Sequence, residues 1–156
     1  MSLEQEQFIA SWPLTVRVAI SGLGEVLFCH ATPLNDMDIF TRTTPEAPLV
    51  SIFAAAGAPL VICGHTHMQF DRMIGNVRVV NAGSVGMPFG SAGADWLLLG
   101  PDVELRRAAY DLGAAAAAIR ATAYPKAEEF ASKYVLDPPK EADMLRAFAA
   151  AELKAP

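Results

Sequence analysis

The stretch that most constrains this chain runs from Pro59 to Gly86, PLVICGHTHMQFDRMIGNVRVVNAGSVG, and centres on Gly64-His65-Thr66-His67. Leu60 to Cys63 is a short apolar run between Pro59 and Gly64, the pattern of a buried strand. Two histidines spaced i, i+2 stand at its end. If the chain stays extended there, both imidazoles point to one side, an arrangement suited to a single metal or a close pair. Gly64 leaves room for the backbone to turn and for a ligand to approach. The chain has three histidines in all, and the third, His30, also closes an apolar run, Val26 to Cys29. All three are therefore expected at the ends of strands, where open sheets carry their ligand sites.

The order of three motifs resembles a known family. Cys29-His30-Ala31-Thr32-Pro33 comes first, then Gly64 to His67, then a hairpin and Asn81-Ala82-Gly83-Ser84. Over roughly residues 8 to 125 this series is similar to the C-terminal half of a calcineurin-like metallophosphoesterase, of the YfcE-like phosphodiesterase branch. The resemblance implies an α/β (α+β) fold, the C-terminal part of a four-layer α/β/β/α sandwich. It implies a metal-dependent hydrolase of phosphomonoesters or phosphodiesters, acting on a small phosphoester through a water activated by two divalent ions (Mn, Fe, Ni, Co or Zn). His30 and His65 would bind one ion and His67 the other. Members of the family begin with Asp-x-His, Gly-Asp and Gly-Asn-His on earlier strands, and none of these occurs here. The acids before His30 are Glu4, Glu6 and Glu25. The expectation is a fragment or truncated product, inactive alone, with no catalytic residue of its own.

Physical chemistry supports that expectation. Neutral imidazoles leave the charge of two dications uncompensated, and a bridging carboxylate is the remedy. Asp36, Asp38 and Asp71 are the first candidates if a carboxylate of this chain completes the site. Two alternatives stand beside the enzyme. One is a non-catalytic module in which the histidines hold a single metal, with Cys63 as a further ligand because it shares strand parity with His65. The other is a self-associating half-domain, whose uncovered sheet edge pairs with a second copy or with the missing N-terminal half.

At 156 residues with 53% hydrophobic and 19% charged residues, a folded domain with a sizeable core is expected. A net charge of −5 disfavours nucleic acid as a partner. No apolar run approaches a membrane span, and MSLEQEQ lacks a basic leader, so a cytoplasmic location is expected. Cys29 and Cys63 form no CxxC motif and are expected as buried, reduced thiols.

The rest of the chain reads in order. Leu3 to Trp12 is an amphipathic helix capped by Ser2 and Gln5, followed by a half-buried strand at Val16 to Ile20 and its return at Glu25 to Cys29. Ala31 to Thr44 has no period and is expected as a loop, its two aspartates solvated. Thr44-Pro45 should open a helix to Ala56 that stops at Gly57. Met68 to Ile74 and Val77 to Val80 form one hairpin, Asp95 to Leu99 and Val103 to Tyr110 another. Residues 1–111 are assigned to the sandwich and 112–156 to a helical extension packed on it. In that extension Asp111 caps a helix to Thr122, a second helix runs from Lys126 to Val135, and a third presents Leu145, Phe148 and Leu153.

Overall fold

The computed structural model describes residues 1–153. Its centre is a five-stranded mixed sheet in the order β1-β2-β3-β5-β4. The strands are β1 (Thr15–Ile20), β2 (Gly24–Cys29), β3 (Leu60–Cys63), β4 (Phe70–Ile74) and β5 (Val77–Asn81). β2, β3 and β5 run parallel, while β1 and β4 flank them antiparallel through tight hairpins. β6 (Ala94–Leu99) and β7 (Val103–Ala108) form a separate antiparallel pair.

Alternation along the strands sorts the core into two layers. Leu27, Val61, Cys63 and Val79 face α2 (Ala47–Ala54), where they meet Leu49 and Phe53. Val26, Leu60, Ile62 and Val80 face the other way and pack against Val103, Leu97 and Leu99 of the second hairpin. A helix thus covers one face and a small sheet the other. Gly22 fits this packing: its φ is +86°, and a Cβ there would lie 2.7 Å from the Pro101 carbonyl oxygen.

Several elements differ from their sequence reading. The segment from Ala31 to Thr44 is an irregular loop, as expected, with Asp36 exposed, but parts of it enter the core. Phe40, Thr41 and Thr44 are buried, and the Phe40 ring sits 5.2 Å from Phe53 and 5.7 Å from Phe70. Without a repeating pattern, one anchoring aromatic leaves no periodic signal. Helix α2 starts at Ala47 rather than Thr44, because Thr44 closes a turn: its Oγ1 accepts from the Thr41 amide at 2.8 Å. Proline still occupies the first turn, as Pro48. Helix α1 (Leu3–Ala10) carries the Ser2/Gln5 capping box, yet none of its residues is buried. Phe8 and Trp12 stack edge to face at 5.6 Å, but both are exposed. β1 is likewise exposed rather than half-buried, with Val16 and Val18 open on the sheet's edge strand.

Beyond β7, Asp111 caps α3 (Leu112–Arg120) by accepting from the Ala114 amide at 2.9 Å. α4 (Ala127–Phe130) runs into a π-helical turn, Ala131–Leu136. These pieces close their own small cluster of Ala116, Ala131 and Val135. α5 (Glu141–Ala149) does not join it. Its segment returns to the sheet through Arg42–Glu141, Gly90 to Pro139, Thr44 to Glu152, and the Leu153 amide on Ile39. Leu153 lies past the end of that helix instead of on its face, and it reaches the core by this strap. No helix among the described residues is long and apolar enough to cross a membrane.

The aromatic junction gives a stability prediction. Phe53 is fully buried against Phe40, so Phe53→Ala is expected to destabilise the fold by about 3–5 kcal/mol in urea unfolding.

Candidate metal centre

Parallel pairing of β2 with β3 puts their C-terminal ends on one edge of the sheet. His30 follows the first strand, and Gly64 to His67 follow the second. The Gly64 amide donates to the His30 carbonyl at 2.9 Å and extends the ladder by one rung. That rung holds the two loops side by side. His30 Nε2 and His65 Nδ1 lie 3.1 Å apart.

The backbone does not stay extended through the second loop. His65 has φ 68° and His67 φ 58°, both left-handed, a conformation that costs of order 1–3 kcal/mol each for non-glycine residues. The strand-parity expectation for this pair therefore fails. His65 turns to His30, whereas His67 turns away and stacks on Phe89 with ring centroids 5.4 Å apart. Cys63 also loses its supposed parity with His65. It is buried in the core layer that faces α2.

Asn81 holds this strained loop. Its side-chain amide donates to the Gly64 carbonyl and, at 3.2 Å, to Thr66 Oγ1, while its Oδ1 accepts from the Gly83 amide at 2.9 Å. One fully buried side chain thus ties both strand-end turns together. Gly83 is obligatory here: φ is +77°, and a Cβ would meet the Asp95 side chain at 2.6 Å. Asp95 pairs with Arg107 at 2.6 Å through Oδ1, and its buried Oδ2 has no partner among the described residues. The motif Asn-Ala-Gly-Ser was legible, but Asn81 as its brace was not. Its signal is a polar residue ending an apolar strand.

The surroundings of His65 and His67 disfavour their charged forms. Burial lowers the His65 pKa, helped by His30 and His67 and opposed by the Met37 backbone and Asp36. Burial likewise lowers that of His67, against the Met87 carbonyl. His67 Nδ1 donates to that carbonyl at 2.9 Å, so Nε2 carries the free lone pair.

The acids are placed less favourably. Asp38 accepts from Thr32 Oγ1 at 2.7 Å and braces its own loop. Asp71, on β4, is engaged by Arg78 through both oxygens. Asp36 acts on His65 through its charge. Among the described residues no three His, Cys, Asp or Glu side chains gather closely enough to hold one ion. The thiols are poor candidates for thiolate ligands, since burial pushes Cys29 up to about 11 and Cys63 well above its usual range.

The donor set still fits a metal. Imidazole nitrogens about 2.0–2.1 Å from one ion lie roughly 3.0–3.4 Å from each other when adjacent, and the His30–His65 separation of 3.1 Å falls in that range.

Residues 3–101 match the family model of the calcineurin-like phosphoesterase superfamily domain. The chain belongs to that superfamily. Among solved structures it is similar to a hypothetical protein from Pyrococcus horikoshii, PH1004, with TM-score 0.68 and 19% identity over 87% of this chain and 55% of that one. It is also similar to a metallophosphoesterase from Sphaerobacter thermophilus, with TM-score 0.63 and 21% identity over 85% of this chain and 60% of that one. At such identity these likenesses establish the fold, a mixed sheet with helices. The chain spans 55% and 60% of the length of these two relatives. No curated protein matches it.

Two predictions come from the site. Asn81→Ala orphans the groups that its amide satisfies, and is expected to cost about 1–3 kcal/mol in urea unfolding. The lowered histidines set a pH dependence of the metal-free protein. Below 6.5, the usual imidazole value, the unfolded chain binds more protons than the folded one, so stability falls as pH drops from 6.5 towards the lowered folded values. Thermal melts across that window should show a declining midpoint, and His65→Ala should flatten the decline.

Proposed function

We propose that this chain carries one side of the metal centre of a phosphoester hydrolase. His30 and His65 would hold one divalent ion, and His67 a second. The observation that carries this reading is the 3.1 Å approach of His30 Nε2 to His65 Nδ1 at the edge where two parallel strands end. Superfamily membership supports the reaction class, a metal-dependent phosphoesterase.

A bound ion pair supplies Lewis-acid charge to the phosphoryl oxygens and an acidified water. This chain's residues supply position. The Met87 carbonyl and the Phe89 face fix the His67 ring, and Asn81 fixes the backbone that carries both His65 and His67. All three imidazoles act as lone-pair donors, which suits Mn, Fe, Ni, Co or Zn.

The bridging carboxylate and the acid for the leaving group are, on this reading, contributed by further polypeptide. Three observations support that. Asp38 and Asp71 are engaged elsewhere, the matched relatives are much longer, and the apolar side chains of α1 and β1 lie uncovered. The remainder of the sandwich is the proposed cover for that surface. The proposal includes a cytoplasmic setting, in keeping with two free thiols.

The experiment is direct. With Mn²⁺ and an activated aryl phosphodiester, the 156-residue chain is expected to stay near background, since loss of a general acid alone costs about 10²–10⁴ in rate. Adding, fused or in trans, a superfamily segment that carries Asp-x-His, Gly-Asp and Gly-Asn-His should restore turnover, and His65→Ala should remove it. Robust turnover by the chain alone, lost in His65→Ala, would show that a carboxylate of this chain completes the site, with Asp36 first to test.

A further inference from the structure

A cavity of about 310 Å³ opens beside the histidine loop, lined by Met87, Tyr124, Lys126, Glu129, Phe130 and Tyr134. Met87 belongs to both places. Its carbonyl accepts from His67 Nδ1 at 2.9 Å, its amide donates to Ser84 Oγ at 3.0 Å, and it also lines the cavity. The opposite wall comes from the helical segment that follows β7. Tyr124 lies in the turn between α3 and α4, Phe130 ends α4, and Tyr134 lies in the π-helical turn.

The three rings do not saturate one another. Tyr124 meets Phe130 edge-on at 6.3 Å, and Phe130 meets Tyr134 at 5.5 Å with planes tilted by 47°. Such a spacing leaves aromatic faces open to a further planar group. Neither phenol hydroxyl makes a hydrogen bond among the described residues, and half of the Tyr124 surface is open, 51%. Tyr134 sits in a π-helical turn, a rare backbone geometry that is frequent at functional sites. Lys126 makes no ion pair among the described residues, while its neighbour Glu129 is taken by Lys133 at 3.0 Å. Lys126 is thus the one cation that lines the cavity among the described residues, with its charge also acting on Glu129.

We infer that this cavity binds the planar aromatic group of the substrate, a phosphoester such as a nucleotide or an aryl phosphate, with Lys126 facing its negative charge. The inference rests on the phosphoesterase reading, which it narrows from any small phosphoester to one that carries an aromatic ring. The ring would lie against Tyr124 and Tyr134, and Met87 would join this pocket to the loop of His67. The cavity is large enough for a nucleobase. Because aromatic stacking tolerates different rings, the pocket selects for a flat face more than for one base.

Binding, measured by calorimetry on the full chain with no metal added, separates this inference from hydrolysis. The probes are AMP, adenosine, phenyl phosphate and ribose 5-phosphate. AMP or phenyl phosphate should bind, and whichever binds more tightly identifies the nucleoside or the aryl source. Ribose 5-phosphate should bind at least tenfold more weakly. Tyr124→Ala, at an exposed position, should weaken the aromatic ligand at least tenfold, and Tyr124→Phe should restore it to within twofold. Lys126→Gln should weaken AMP while leaving adenosine unchanged. If neither aromatic ligand binds, if ribose 5-phosphate binds as tightly as AMP, or if Tyr124→Ala changes nothing, the pocket is not a ring site. The hydrolytic reading would stand or fall separately on turnover.

Discussion

The parallel pairing of β2 with β3 is the constraint on which the site depends. Parallel neighbours cannot be joined by a tight turn, so the chain must travel from one end of the sheet to the other between Cys29 and Leu60. That crossover contains α2 and the irregular segment anchored by Phe40, and both are held by apolar burial against the sheet. In return, two strand ends lie side by side on one edge. His30 and His65 are 35 residues apart in sequence, yet their rings come within hydrogen-bonding distance. Pairing β3 with β5, also parallel, adds Asn81 at the same edge. The site is thus assembled by three strand ends.

The legible part of this architecture follows from side-chain period. Strands at Leu60–Cys63 and Val77–Asn81, both hairpins and the Asp111 cap all carry local signals, and each forms where those signals lie. The histidines could be placed at strand ends for the same reason. Their orientation could not, because it is decided by two left-handed residues in succession around Thr66. No residue type announces that conformation when the residue is histidine. It is held by Asn81, a contact across 15 residues and two strands. Burial of Phe40 and exposure of Phe8, Val16 and Val18 were illegible for a common reason. Whether an apolar side chain is covered depends on what lies opposite, and that is a property of tertiary packing.

Strain and charge act in the same direction at this loop. The left-handed backbone turns His65 and His67 in different directions, while burial lowers the pKa of both. The core beneath bears that load: β3 is buried along its whole length, and so is most of β5.

The tilted contact of Phe148 with Phe89, and the stacking of Phe89 on His67, make the far end of the chain part of the histidine's surroundings. The two ring pairs, 6.1 Å and 5.4 Å apart, form a column from α5 to the imidazole. The last helix thus meets the imidazole through ring contacts, by way of Phe89. The packing around the His67 ring is therefore completed by a helix that lies far from it in sequence, beyond both hairpins and the π-helical turn.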